Sequence, residues 1–261
     1  MPVGDFAQTK IQPPRPRAGL LARDRLASPI ATAVTEYPLT LLCAPAGFGK
    51  TVLLTQQLAR WPADQPLVWI ALDEDDDLTR LADCLVSALE PYDVPWRVAP
   101  EALVADIGNR PGATAALATD LVNALAGVDT PRGVMVIDDL HRTQDAAVFE
   151  FLERLIERLP RQWGVVLATR VEPPLPLARW RARGQLAEWR QDALRFTASE
   201  VSTLAATRGR DDAQALLDRT GGWAAGLGLL LDARREPGAR VVQDRAMFDF
   251  LAAEVLDQMP V

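Results

Sequence analysis

The chain has 261 residues, 49% of them apolar, enough to bury one large core or two modest ones. Its formal net charge of -7 argues against a broad basic surface that would grip a nucleic-acid backbone. Cys43 and Cys84 are too few for a disulfide framework or a metal cluster, and neither a basic-then-apolar leader nor a membrane-length apolar run is present, so a cytoplasmic chain with no membrane partner is expected.

A Pro/Arg-rich arm, "KIQPPRPRAGLLARDRL", comes first, and its prolines forbid a regular helix through Pro16. From Leu39 the texture changes to short apolar runs alternating with helix-like segments. "LTLLC", "LVWIAL", "VMVID" and "GVVLATR" read as strands, with "QLAEWR" a weaker fifth. Between them, "KTVLLTQQLARW", "LTRLADCLVSAL", "TAALATDLVNALA" and "AAVFEFLERLIERL" carry apolar residues at helical spacing. Continuous apolar strands separated by helices describe an α/β fold, a parallel sheet covered on both faces. The acidic run "ALDEDDD" after the second strand reads as a solvated loop ending in a helix cap.

Beyond Arg195 the strands stop. "TASE" has capping-box spacing, with Thr197 accepting from the backbone and Glu200 reaching back. Helical segments are expected near Val201–Ala206, Asp212–Arg219 and Trp223–Leu231. A last stripe joins Phe248, Leu251, Ala252, Val255, Leu256 and Met259. Three parts follow: residues 1–38 as an arm and flanking segment, 39–195 as the sheet domain, and 196–261 as a small all-helical domain.

The stretch from Ala44 to Thr51 carries the chemistry. It reads A-x-x-x-x-G-K-T, with Ala44 where the phosphate-loop pattern usually begins with glycine. Pro45, Ala46, Gly47, Phe48 and Gly49 form the loop, and its glycines let backbone N–H groups turn toward phosphate oxygens. Lys50 would reach the β- and γ-phosphates, Thr51 would offer a hydroxyl to Mg2+, and the new helix through Val52 aims its positive end at the same anion. A strand ending in Asp138 supplies the acid that completes the magnesium shell. Asp139, one residue on, orients or deprotonates a water, or else serves a turn. His141 is a sensor of the bound state or a buried hydrogen-bonding histidine. Arg170, closing "LATR" at a strand's C-terminal end, stands where ligands meet open α/β sheets; it contacts a γ-phosphate or makes a surface ion pair.

These landmarks together, with "LRFTASEV", "TGGWAAGLGLL" and "FDFLAAEVL", resemble the nucleotide-binding part of the MalT-like regulators, large bacterial activators among the signal-transduction ATPases with numerous domains (STAND). The resemblance implies a P-loop NTPase sheet of order 5-1-4-3-2, then a helical domain and a winged-helix domain, with ATP or ADP held where these parts meet. It implies Arg23 to Leu26 near the adenine, Asp138 on the magnesium side, Asp139 as base and Arg170 as γ-phosphate sensor. Trp223 and Ala224 occupy the Leu and Pro positions of the Gly-Leu-Pro-Leu motif of related switches. The helical domain is expected to stop short of the winged helix, with inducer and promoter DNA met only by further domains and self-association confined to an ATP-bound whole protein. The expected function is an ATP/ADP switch with slow or conditional hydrolysis. A high-turnover ATPase or small-molecule kinase, and a non-catalytic scaffold stabilised by nucleotide, are the alternatives.

Overall fold

The computed structural model describes residues 6–15 and 19–232. The stripe expected from Phe248 to Met259 lies outside them. The described residues group into two compact units: one comprises 6–15, Asp24–Cys43 and Thr51–Trp189, the other Gly19–Arg23, Ala44–Lys50 and 190–232.

The first unit is built on five strands, β1 (Leu39–Cys43), β2 (Leu67–Ala71), β3 (Gly133–Asp138), β4 (Trp163–Thr169) and β5 (Leu186–Arg190). Their order is β2-β3-β4-β1-β5, which from the opposite edge is the expected 5-1-4-3-2. β1 runs parallel to β4 with Leu39 opposite Val165, β3 parallel to β4 with Gly133 opposite Trp163, and β2 parallel to β3 with Leu67 opposite Val134. Every residue of β1, β3 and β4 is buried, as strands of an unbroken apolar run must be. In β5 only Leu186 is buried, which explains its weaker signal: an edge strand need not be apolar throughout.

Around the sheet lie α1 (Asp24–Glu36), α2 (Lys50–Leu58), α3 (Leu78–Leu89), α4 (Pro100–Asp106), α5 (Ala113–Ala126), α6 (Ala146–Glu157) and α7 (Leu177–Ala182). Their core includes Trp69, Trp163, Trp180 and Phe151, all fully buried, and each such side chain contributes about 1.5–3 kcal/mol on burial. Asp145 joins two helix starts, one carboxylate oxygen accepting from Ala147 N in α6 and the other from Leu78 N in α3. No helix among the described residues is long and apolar enough to cross a membrane.

Two features depart from the expected pattern. Helix α1 occupies 24–36, a stretch given no element above. Its buried Leu26, Ile30, Ala33 and Val34 keep helical spacing, but Pro29 interrupts the reading. The acidic run is only partly solvated. Asp77 caps α3 as expected, accepting from Arg80 N, whereas Asp76 is buried and pairs with Lys10 of the N-terminal arm, which also meets Asp73 at 3.0 Å. Burial is the largest influence on Lys10 and lowers its pKa, but the contacts with Asp76 and Asp73 outweigh it and hold the pKa above its usual value. Nearby Cys84 is pushed up to about 12, chiefly by burial, so its thiol stays protonated and inert.

The second unit holds α8 (Gln191–Leu194), α9 (Ala198–Thr207), α10 (Ala213–Thr220) and α11 (Ala224–Asp232). Val201, Leu204, Ala205, Leu216, Leu227 and Leu230 form its buried centre. The capping box opens α9: Glu200 N donates to Thr197 Oγ1 at 3.3 Å, and Thr197 N donates to Glu200 Oε2 at 2.8 Å.

Candidate functional site

Within the second unit, the segment Ala44–Lys50 curls through two left-handed glycines, Gly47 at φ 73° and Gly49 at φ 79°. Its carbonyls are taken up in sequence. The Lys50 ammonium donates to Ala44 O at 2.6 Å and Pro45 O at 3.1 Å, the Trp223 indole Nε1 donates to Ala46 O at 3.0 Å, and Ala225 N donates to Gly47 O at 2.9 Å. The amides of Gly47 and Gly49 donate to no acceptor among the described residues. Donors left over on closely spaced residues, with carbonyls fixed elsewhere, make a concavity suited to an anion. Lys50 is 7% exposed and Phe48 6%, with the Arg195 guanidinium 5.6 Å from the Phe48 ring centroid.

The same unit gathers three of the sequence landmarks. Arg23, 5% exposed, donates to Leu194 O and Arg195 O at 2.7 Å, pairs with Glu200 at 3.3 Å, and lies 4.2 Å from the Phe196 ring centroid. Its side chain is thus a clamp on "LRFTASE", a role that its position near "ARDRL" did not announce. Phe196 N in turn donates to Gly222 O at 2.8 Å, and a Cβ on Gly222 would stand 2.4 Å from Phe196 O. Only glycine fits that approach, which accounts for the second Gly of "TGGW".

Within the first unit, β3 delivers Asp138, 2% exposed, at its C-terminal end. Thr51 Oγ1 donates to Asp138 Oδ2 at 2.8 Å, and Asp139 N donates to Asp138 Oδ1 at 3.0 Å. A hydroxyl beside a buried carboxylate is a donor set that suits Mg2+, which takes oxygen ligands and keeps positions for waters and phosphate oxygens. Among the described residues no cluster of three or more His, Cys, Asp or Glu could hold a metal by itself.

Asp139 adopts φ 54°, one of two left-handed residues other than glycine among those described, and it heads a short turn in which Arg142 N donates to Asp139 O at 2.9 Å. Such strain concentrates at functional sites. The His141 Nδ1 stands 3.9 Å from Asp139 Oδ1. Arg170 follows β4 directly, after Thr169, whose hydroxyl donates to Val171 O at 2.8 Å. Val52 is partly exposed in the first turn of α2, and Leu26 is buried in α1 at 3% exposure.

The sequence reading did not assign Trp223 or Ala225 to the loop. Trp223 stood out only as a substitution in a motif. The available signal was the mismatch itself: an indole N–H placed where the motif has an aliphatic side chain usually takes an acceptor when buried.

No protein-family model matches the chain. The HTH-type transcriptional regulator MalT of Yersinia enterocolitica is 30% identical over 267 residues, an alignment taking in 96% of this chain and 29% of MalT. The chain therefore spans only 29% of the length of the curated relatives it matches. Among solved structures, a STAND protein with a tetratricopeptide repeat sensor from Pyrococcus horikoshii superposes with a TM-score of 0.63 at 16% identity, covering 98% of this chain and 35% of that one. A Walker-type ATPase of Pyrococcus abyssi gives 0.59 at 14% identity, covering 94% and 77%. At such identities the structures speak to fold alone. The chain has a P-loop NTPase fold and matches MalT-type regulators over nearly its whole length.

Proposed function

We propose that the chain is an ATP/ADP switch with slow or conditional hydrolysis, serving a signal-responsive transcriptional regulator. The observation that carries this reading is the loop itself: two left-handed glycines, the carbonyls of Ala44 to Gly47 each engaged by a donor, and a lysine and threonine immediately after. In this reading the amides of Gly47 and Gly49 bind phosphate oxygens, and Lys50 leaves Ala44 O and Pro45 O to pair with the β- and γ-phosphates. Thr51 and Asp138 would hold Mg2+, which would supply charge neutralisation on the phosphates. Asp139 positions a water as general base, and Arg170 contacts the γ-phosphate. A switch needs that last contact, because a ligand with equal affinity for two states shifts neither. Inducer recognition, promoter binding and ATP-dependent self-association are proposed for the whole regulator rather than for these residues.

Two variants test the assignment in one assay set. Lys50→Ala is expected to lose most ATP and ADP affinity by calorimetry while its far-ultraviolet circular dichroism stays that of the parent; equal affinity would remove the phosphate-loop reading. Asp139→Asn is expected to keep Mg-ATP affinity and slow single-turnover hydrolysis by roughly 10²–10⁴-fold, the usual worth of a positioned base. An unchanged rate returns Asp139 to its turn.

A further inference from the structure

We infer that Trp223 is a positioning residue for phosphate binding: its indole N–H, together with the amide of Ala225, holds the carbonyls of Ala46 and Gly47 outward and so fixes the loop in its anion-accepting shape. The inference rests on the nucleotide reading above and adds to it a residue that touches no nucleotide.

The physical argument concerns where carbonyls go. A loop that turns its N–H groups inward must turn its carbonyls outward, and a buried outward carbonyl needs a donor. Four consecutive carbonyls, Ala44 to Gly47, each have one. Those of Ala44 and Pro45 depend on Lys50, whose ammonium is the group that phosphate would recruit. Those of Ala46 and Gly47 depend on the start of α11, and no charge transfer or side-chain departure is needed to keep them there. Without these two donors either peptide could rotate its oxygen toward an incoming anion, where the two negative ends would repel.

Packing makes the contact specific. Trp223 is 8% exposed, and a Cβ built on Gly47 would fall 2.7 Å from both its Nε1 and the Cβ of Ala225. The indole therefore fills the space that a side chain at Gly47 would take. Indole also suits the task better than a hydroxyl would: it donates and cannot accept, so it cannot itself pull an amide out of the nest. The contact explains why the segment after "TGG" begins with Trp and continues with two small residues, since Ala224 and Ala225 let the backbone of α11 reach the loop.

Because the β-phosphate is common to both nucleotides, the effect must be symmetric. Trp223→Phe, which keeps the ring and removes the N–H, is expected to raise the calorimetric Kd of Mg-ADP and Mg-ATP by the same factor, roughly three- to tenfold, as for loss of one hydrogen bond. The parent and Lys50→Ala are titrated alongside. If Lys50→Ala loses affinity and Trp223→Phe does not, the nucleotide reading stands and the positioning role is overturned. If Trp223→Phe weakens ATP alone, the residue acts on the third phosphate and this inference is likewise wrong. Should the parent bind neither nucleotide, both readings fall together. A second measurement uses the unmutated chain: the Trp223 indole proton, followed by hydrogen exchange in nuclear magnetic resonance, is expected to stay protected both without nucleotide and with saturating Mg-ADP. Free exchange in the ADP complex would show the carbonyl contact broken when it should be working, and would overturn the inference even if the Phe variant does not fold.

Discussion

The two units are stabilised in different ways. The sheet unit rests on continuous apolar strands and helices closed over Trp69, Phe151, Trp163 and Trp180. The second unit has a small apolar centre, and around it Arg23, Arg195, Glu200 and Trp223 tie one backbone stretch to another. Apolar packing is non-directional and tolerates small shifts, whereas a carbonyl held by one indole or one guanidinium is either engaged or not. A scaffold is well made the first way and a switch the second. It is in keeping with this that the segment Ala44–Lys50, the proposed phosphate loop, groups with the hydrogen-bonded unit.

The sharpest way to break that contrast is to damage each unit by its own means. Phe151→Ala, at a fully buried site, is expected to cost about 3–5 kcal/mol in denaturant unfolding. A loss under 1 kcal/mol would mean the sheet core is not the main source of stability. Arg23→Met keeps apolar bulk but takes a donor from the carbonyls of Leu194 and Arg195 and the cation from Glu200, for an expected loss of about 1–3 kcal/mol. Stability equal to the parent's would make the second unit as apolar in its energetics as the first. Arg170→Ala, at the rim of the sheet, should leave unfolding unchanged and weaken Mg-ATP by about 1–3 kcal/mol with a much smaller change for Mg-ADP, compared at one salt concentration. Equal weakening of both would deny it a sensing role.

How much of this could be read from the residues differs between the units for the same reason. β1, β3 and β4 are uninterrupted apolar runs, and α3, α5 and α6 keep their stripes, so local pattern located them within a residue or two. α1 escaped because Pro29 sits where a helix reading stops. The contacts of the second unit are long-range: Arg23 meets Glu200 across 177 positions, Trp223 meets Ala46 across 177, and Lys10 in the sheet unit meets Asp76 across 66. No window of sequence holds both partners of such a pair. The proposed phosphate loop and the acid at Asp138 could be named as candidates because each pattern lies in neighbouring residues; the donors that hold the loop's carbonyls could not.

The account depends most on nucleotide occupancy. The most direct measurement is mass spectrometry of the purified chain under non-denaturing conditions, before and after incubation with Mg-ATP. One ATP or ADP per chain is expected, with ADP accumulating slowly on the protein rather than being released through rapid turnover. A chain that carries no nucleotide after saturation with Mg-ATP, while its circular dichroism shows it folded, would contradict the account.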